Sequence, residues 1–177
     1  DKSAVDLLED LNCPAYKIAS FELVDLPLIE YVASTKKPVI MSTGMANFDE
    51  IEEAVSVCRD SGCKEIALLH CVSAYPANPS EYNLRTIADL ISKLDIVVGL
   101  SDHTLDNTTA ISSISQGASI IEKHFTLDRN GGGPDDSFSL EKDGLQDLCL
   151  STKTAWKSLG EVSYKRTKGE KENLVFR

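Results

Sequence analysis

Positive charge is scarce in this sequence. Its 177 residues carry 18 Lys and Arg against 28 Asp and Glu, a net charge of −10. A chain this acidic lacks the basic face that nucleic-acid phosphates demand, which argues against a nucleic-acid partner. Long apolar runs are missing too. Nowhere do the ~20 uninterrupted apolar residues of a membrane-spanning helix occur, and no signal-peptide pattern opens the chain, so no membrane partner is expected. There is no CxxC pair. The five cysteines (Cys13, Cys58, Cys63, Cys71 and Cys149) are odd in number and read as reduced thiols, the pattern of a cytoplasmic protein. What is present is ample apolar material, 42% of residues. A chain of this length should bury roughly 70% of its unfolded surface, which excludes disorder and a disulfide-stapled miniprotein.

The little positive charge is unevenly placed. Residues 151–177 hold seven basic and three acidic side chains, read as a solvated tail or linker because scattered charges make no patch. The chain starts on Asp1 and ends on Arg177, just after Leu174-Val175-Phe176. The expectation is a piece of a longer protein.

Five short apolar runs rich in β-branched residues recur: 16–20, 38–42, 66–70, 96–100 and 119–123, starting 22, 28, 30 and 23 residues apart. Near-continuous apolar runs mark strands buried on both faces, as in parallel sheets. Between them lie helix patterns at 26–34, 47–61, 83–93 and 107–116, with further ones at 2–11 and 140–159. The span 47–61 is the clearest. Asn47 is placed to cap it, Asp49 and Glu50 fall in its first turn, Ile51, Ala54, Val55 and Cys58 share a face, and Gly62 stops it. Alternating strand and helix predicts an α/β fold with a parallel sheet and right-handed crossovers.

An open doubly wound sheet and a (β/α)8 barrel both satisfy that alternation. A barrel gathers its chemistry at the C-terminal ends of many strands, whereas an open sheet concentrates it at one switch point. Here every run ends in polar residues: Lys17 to Glu22, Ser42-Thr43-Gly44, His70 to Tyr75, Ser101-Asp102-His103 and Glu122-Lys123-His124. The expected fold is therefore a TIM barrel of which the C-terminal five βα units are present. Residues 1–160 form the barrel part and 161–177 a basic linker.

His103 and His124 lie 21 residues apart at the ends of consecutive strands. Adjacent strands are about 4.8 Å apart, so two imidazoles leaning inward could share one cation and leave positions open for ligand. The alternative is that each is a core or loop histidine bonded to backbone. Asp102 either orients an imidazole or caps the following helix. His70, inside an apolar run, reads as a packed core histidine, and Cys71 as a buried structural thiol. Lys17 either snorkels outward or points into the barrel, where its charge needs an anion. Ser20 and Glu22 suit hydrogen bonding to a ligand, although Glu22 could instead cap the next helix. Ser42-Thr43-Gly44 is either a small anion cradle before a helix N-terminus or an ordinary turn. The loop 130–135 is a flexible turn that could also serve as a substrate lid.

Six segments together make the sequence recognisable: Tyr16-Lys17-Ile18-Ala19-Ser20-Phe21-Glu22, Met41-Ser42-Thr43-Gly44-Met45, Ser73-Ala74-Tyr75-Pro76, Gly99-Leu100-Ser101-Asp102-His103-Thr104, Glu122-Lys123-His124-Phe125 and Gly133-Pro134-Asp135. In order and spacing they resemble the sialic acid synthase family. Its members include N-acetylneuraminate, pseudaminic and legionaminic acid synthases and spore-coat polysaccharide proteins. The resemblance implies a (β/α)8 barrel condensing phosphoenolpyruvate with a 2-acetamido sugar, N-acetylmannosamine or an analogue, to a nonulosonic acid with release of phosphate. It implies a divalent metal, typically Mn2+, held by His103 and His124, which with Lys17 form the catalytic set. Lys17, Ser20, Ser42, Ser73 and Ser101 would bind the phosphate and carboxylate of phosphoenolpyruvate, and Glu22, Tyr75 and Asp135 the sugar. Some members carry Asn at the position of Ser73. The family's first three strands, with an acid–base glutamate and a further lysine, would precede Asp1. An antifreeze-like domain reaching across a homodimer would follow Arg177, so this segment alone is expected to have little activity. Two rivals stand beside this reading: a Schiff-base aldolase using Lys17, and a non-catalytic partial-barrel homologue.

Overall fold

The computed structural model describes residues 1–177. The elements run α1 (Lys2–Asp10), β1 (Tyr16–Ile18), α2 (Leu26–Ser34), β2 (Val39–Ser42), α3 (Phe48–Asp60), β3 (Ile66–Cys71), α4 (Arg85–Leu94), β4 (Val97–Asp102), α5 (Thr108–Ile114), β5 (Ile121–Lys123), α6 (Lys142–Leu159) and α7 (Lys168–Glu172). All five strands are parallel, and the sheet order is β1-β2-β3-β4-β5. A doubly wound sheet reverses its strand order at a switch point. This one never does.

The sheet is curled into a half-barrel. Five flat strands would set β1 and β5 roughly 19 Å apart, yet the Lys17 ammonium and the Glu122 carboxylate meet at 3.4 Å across the concave face. Strand alternation divides the side chains cleanly. Ile18, Met41, Leu68, Val98 and Leu100 point to the helices and are buried, forming the core with Ile29, Val32, Val55, Ile87 and Leu90. Lys17, Ser42, Cys71, Ser101 and Glu122 point the other way, and the cross-strand rows Ser42↔Leu69↔Gly99 and Cys71↔Ser101↔Glu122 line the concavity.

Local signals set the boundaries. Asn47 and Glu50 form a reciprocal capping box at the start of α3, and Ile51, Ala54, Val55 and Cys58 are its buried face. Asp25 caps α2, with Pro27 in the first turn. Gly62 and Gly117, which follow α3 and α5, both have φ of +96°, a conformation that side chains with a Cβ resist. Strands β1 and β5 are shorter than the apolar runs that encode them. After Ile18 the chain turns at Ala19 into a single 3-10 turn, Ser20–Glu22. The tail is not featureless, since α7 carries its own Thr167–Glu170 capping box. No helix is long and apolar enough to cross a membrane.

Candidate active site

The C-terminal strand ends converge on one concave face. At its centre His103 and His124, which follow β4 and β5, have ring centroids 5.3 Å apart at 66°. Two imidazoles sharing one cation through ~2.1 Å metal–nitrogen bonds have centroids roughly 5 Å apart, so the observed spacing fits. The bonding of His103 supports the same use. Its Nδ1 donates to the Val72 carbonyl at 2.8 Å, which turns Nε2 into the site with a lone pair. Ser101 Oγ lies 3.4 Å from that Nε2 but gives its only proton to Glu122 Oε1 at 2.8 Å. The Nε2 lone pair is left unclaimed. No group of three or more His, Cys, Asp or Glu side chains is disposed to hold a metal. His103 and His124 alone would offer a cation a two-imidazole platform, with its remaining positions left to other ligands.

Around the pair, Tyr75 lies 4.3 Å from the His103 ring and 5.8 Å from that of His124, and Phe138 packs edge-on against His124 at 5.2 Å. Asp135 Oδ2 stands 3.4 Å from His124 Nδ1. Beneath them the buried Tyr82 hydroxyl accepts from the His103 backbone N–H at 2.7 Å and donates to the Ser101 carbonyl at 3.3 Å. Burial raises the Tyr82 hydroxyl above the ordinary phenol range. The hydroxyl consequently stays a neutral donor–acceptor.

The other wall is built of small polar groups. The Gly44 N–H donates to Ser20 Oγ at 3.0 Å. A Cβ on Gly44 would sit 2.2 Å from Ser73 Oγ and 2.7 Å from Ser20 Oγ, so only glycine allows the three strand ends this approach. Ser42 Oγ and Ser73 Oγ are buried and have no hydrogen-bond partner. Buried hydroxyls are almost always satisfied, and two orphans in one wall mark a place for an external acceptor or donor. Lys17 points into the concavity and pairs with Glu122. The inward alternative is the one realised.

Several expectations change. Asp102 neither hydrogen-bonds an imidazole nor caps α5. Pleating turns it to the helix side, where it pairs with Lys123 at 2.7 Å and accepts from the Thr104 N–H. Glu22 does not cap α2; its carboxylate closes back on the Ala19 N–H at 3.0 Å, at the rim. The Ser42-Thr43-Gly44 turn does not sit on a helix N-terminus, because α3 starts four residues later and Asn47 and Glu50 close its end. Cys71 is buried as expected but is not remote from chemistry. Its Sγ lies 4.0 Å from His103 Nδ1. Burial pushes this thiol up, but the neighbouring His103 and Ser20 side chains outweigh it and bring it below its ordinary value. For His103 itself, burial pulls the imidazole down, while Cys71 and the Val72 carbonyl bring the net shift upward. His70 faces the helix side with Nε2 on the Tyr82 carbonyl, a core histidine whose burial lowers its pKa. The loop 130–135 is folded around Asp136, which accepts from Thr126 Oγ1 at 2.6 Å and the Gly133 N–H at 2.7 Å.

Two positions that build the concave face were not singled out from the sequence. Glu122 joins Lys17 to Ser101, and the signal for it was its place two residues before His124 on the same face of a strand. Tyr82 comes from the β3–α4 connection, and nothing in its local sequence marked it.

The sequence pattern of the NeuB family matches residues 1–164. The pseudaminic acid synthase of Helicobacter pylori is 45% identical over 158 residues, covering 89% of this chain and 46% of that protein. The N,N'-diacetyllegionaminic acid synthase of Campylobacter jejuni is 42% identical over 176 residues, covering 98% of this chain and 53% of its own length. The chain thus spans about half of the curated relatives it matches. The crystal structure of the N-acetylneuraminic (sialic) acid synthetase of Leptospira borgpetersenii, in complex with citrate, superposes with a TM-score of 0.91 at 35% identity. That match covers 100% of this chain and 62% of the synthetase.

Proposed function

The chain belongs to the NeuB family, and from that membership and the geometry of the strand ends we propose that it is the cation-binding part of a (β/α)8 synthase. The reaction proposed is condensation of phosphoenolpyruvate with a 2-acetamido sugar to a nonulosonic acid. The observation that carries the proposal is the convergence of His103 and His124 at 5.3 Å beside two buried hydroxyls that lack partners.

A divalent cation, Mn2+ in our reading, would be held by His103 and His124. When bound it supplies Lewis-acid polarisation of a carbonyl oxygen. The chain's own residues bind and orient. Ser42 and Ser73 offer unspent hydroxyls, and Ser20, Ser101 and Lys17 complete a wall for the phosphate and carboxylate of phosphoenolpyruvate. In so acidic a protein, Lys17 is a local source of positive charge, and it would turn from Glu122 to the incoming anion. Glu22, Tyr75 and Asp135 stand at the outer rim, where a sugar's hydroxyl and acetamido groups would be met. The enol carbon attacks the sugar aldehyde and forms the C–C bond. Water adds to the resulting cationic centre, and phosphate leaves with cleavage of its C–O bond.

The test is phosphate release and product analysis in the full-length protein containing this chain, with phosphoenolpyruvate and N-acetylmannosamine or its dideoxy analogues. Chelator-sensitive formation of a nine-carbon keto acid is expected. Chelator-insensitive turnover with borohydride trapping on Lys17 would transfer the protein to the Schiff-base aldolases. Absence of phosphate release with every sugar would support the non-catalytic alternative.

A further inference from the structure

Of the chain's ion pairs, one is fully buried: Lys123 Nζ to Asp102 Oδ2 at 2.7 Å, with both side chains sequestered from solvent. The Lys123 ammonium also donates to the Thr104 carbonyl at 2.6 Å and the Asp106 carbonyl at 2.8 Å, which uses all three of its protons. Asp102 Oδ1 accepts from the Thr104 N–H at 2.9 Å. Burying two charges is expensive, and a hydrophobic pair of the same size often stabilises as well. Stability alone therefore gives no reason for an ion pair here.

Position gives one. Asp102 and Lys123 are registered partners across β4 and β5, at the last rung of that ladder. Each immediately precedes an imidazole of the cation pair. Because consecutive side chains alternate faces, anchoring both on the helix side directs His103 and His124 to the concave side. Past this rung the two strands no longer bond each other. The His103 N–H goes to Tyr82 Oη, its carbonyl takes the Ala77 N–H, and the His124 carbonyl takes the Leu140 N–H. The three bonds of Lys123 span the gap. From the residue before His124, they grip Asp102, Thr104 and Asp106, on both sides of His103.

We infer that Asp102 and Lys123 are a positioning pair that sets the separation of the two imidazoles, so that the pair supports cation affinity more than it supports the fold. This rests on the two-imidazole reading above. It makes the pair a determinant of the site without contact with either cation or substrate.

The experiment compares this chain with the double variant Asp102→Asn/Lys123→Met, which removes both charges with little change in side-chain volume, and with Lys123→Arg. Arginine keeps the charge but cannot converge three donors on one point. Three readouts are taken: thermal melting, Co2+ titration by visible absorption, and side-chain nitrogen NMR of His103 and His124 without metal. The double variant should melt near the parent yet bind Co2+ about tenfold or more weakly, with the Nδ1–H signal of His103 lost or shifted. Lys123→Arg should stay folded and show the same loss, which decides the matter if the double variant fails to fold. Co2+ affinity within about twofold of the parent in a folded variant overturns the inference. If the parent itself binds no Co2+, the cation reading falls, and the imidazole signals decide: altered in the variants they uphold the positioning role, unaltered they end it.

Discussion

Ser42 and Ser73 separate what this site does from what holds the fold. An unpartnered buried hydroxyl costs about 1–3 kcal/mol, so Ser42→Ala and Ser73→Ala should each raise the melting midpoint of the ligand-free chain. The same changes should weaken phosphoenolpyruvate binding by about tenfold, read by calorimetry, because the ligand loses a hydrogen bond in a dry wall. A variant that loses stability instead would show that the hydroxyl already has a partner. His70 gives the pH prediction. Burial lowers its pKa below the ordinary 6.5, so below that pH the unfolded chain binds more protons than the folded one, and stability falls as the medium is acidified. The shift of His103 is upward and acts in the opposite sense. His70→Gln keeps a donor for the Tyr82 carbonyl and should flatten the acid limb of melting midpoint against pH, measured from pH 7 down to 5. An unchanged limb would remove His70 as its cause. At this scale His103 and His124 were legible because matched strand ends are a one-dimensional signal. Asp102 was not, since choosing between imidazole, cap and lysine needs the pleat and the partner strand.

At the scale of the element, what is local was readable. The capping box at Asn47 and Glu50 lies within four residues, and Asn47→Ala should cost about 1 kcal/mol of unfolding free energy in denaturant titration, with an unchanged slope. A loss within error would show that the α3 end is held by tertiary contacts alone. Strand ends were less readable. Apolar runs extend past the last ladder bond, so Ala19 and Ser20 leave β1 for a 3-10 turn while still looking strand-like in sequence. That same turn places Ser20 against Gly44, and the discrepancy is where the site is built. The cradle expected at the α3 N-terminus failed for a related reason. The helix begins only at Phe48, beyond the turn, and its capping box already engages the Asn47 and Glu50 N–H groups.

At the scale of the whole molecule, the strand order β1 to β5 without reversal decides for a curled sheet, and the salt bridge from Lys17 to Glu122 spans its concavity. Parallel sheet and crossovers followed from the alternation of periods. Curl followed instead from the polar residues that end every strand run, and the contact between the first and last strands across the concave face bears it out. The chain covers 46% and 53% of the synthases from H. pylori and C. jejuni. We therefore expect the 177-residue chain alone to turn over phosphoenolpyruvate and N-acetylmannosamine at least about a hundredfold more slowly than the full-length protein, since incomplete positioning has that cost. Equal rates in a phosphate-release assay would contradict this. The central claim, two imidazoles on one cation, is tested most directly by electron spin-echo spectroscopy of Mn2+ added to the chain. The account predicts nitrogen couplings from two histidines in the parent and from one in either His103→Ala or His124→Ala; Mn2+ bound with no imidazole nitrogen, or couplings unchanged in both variants, would contradict it.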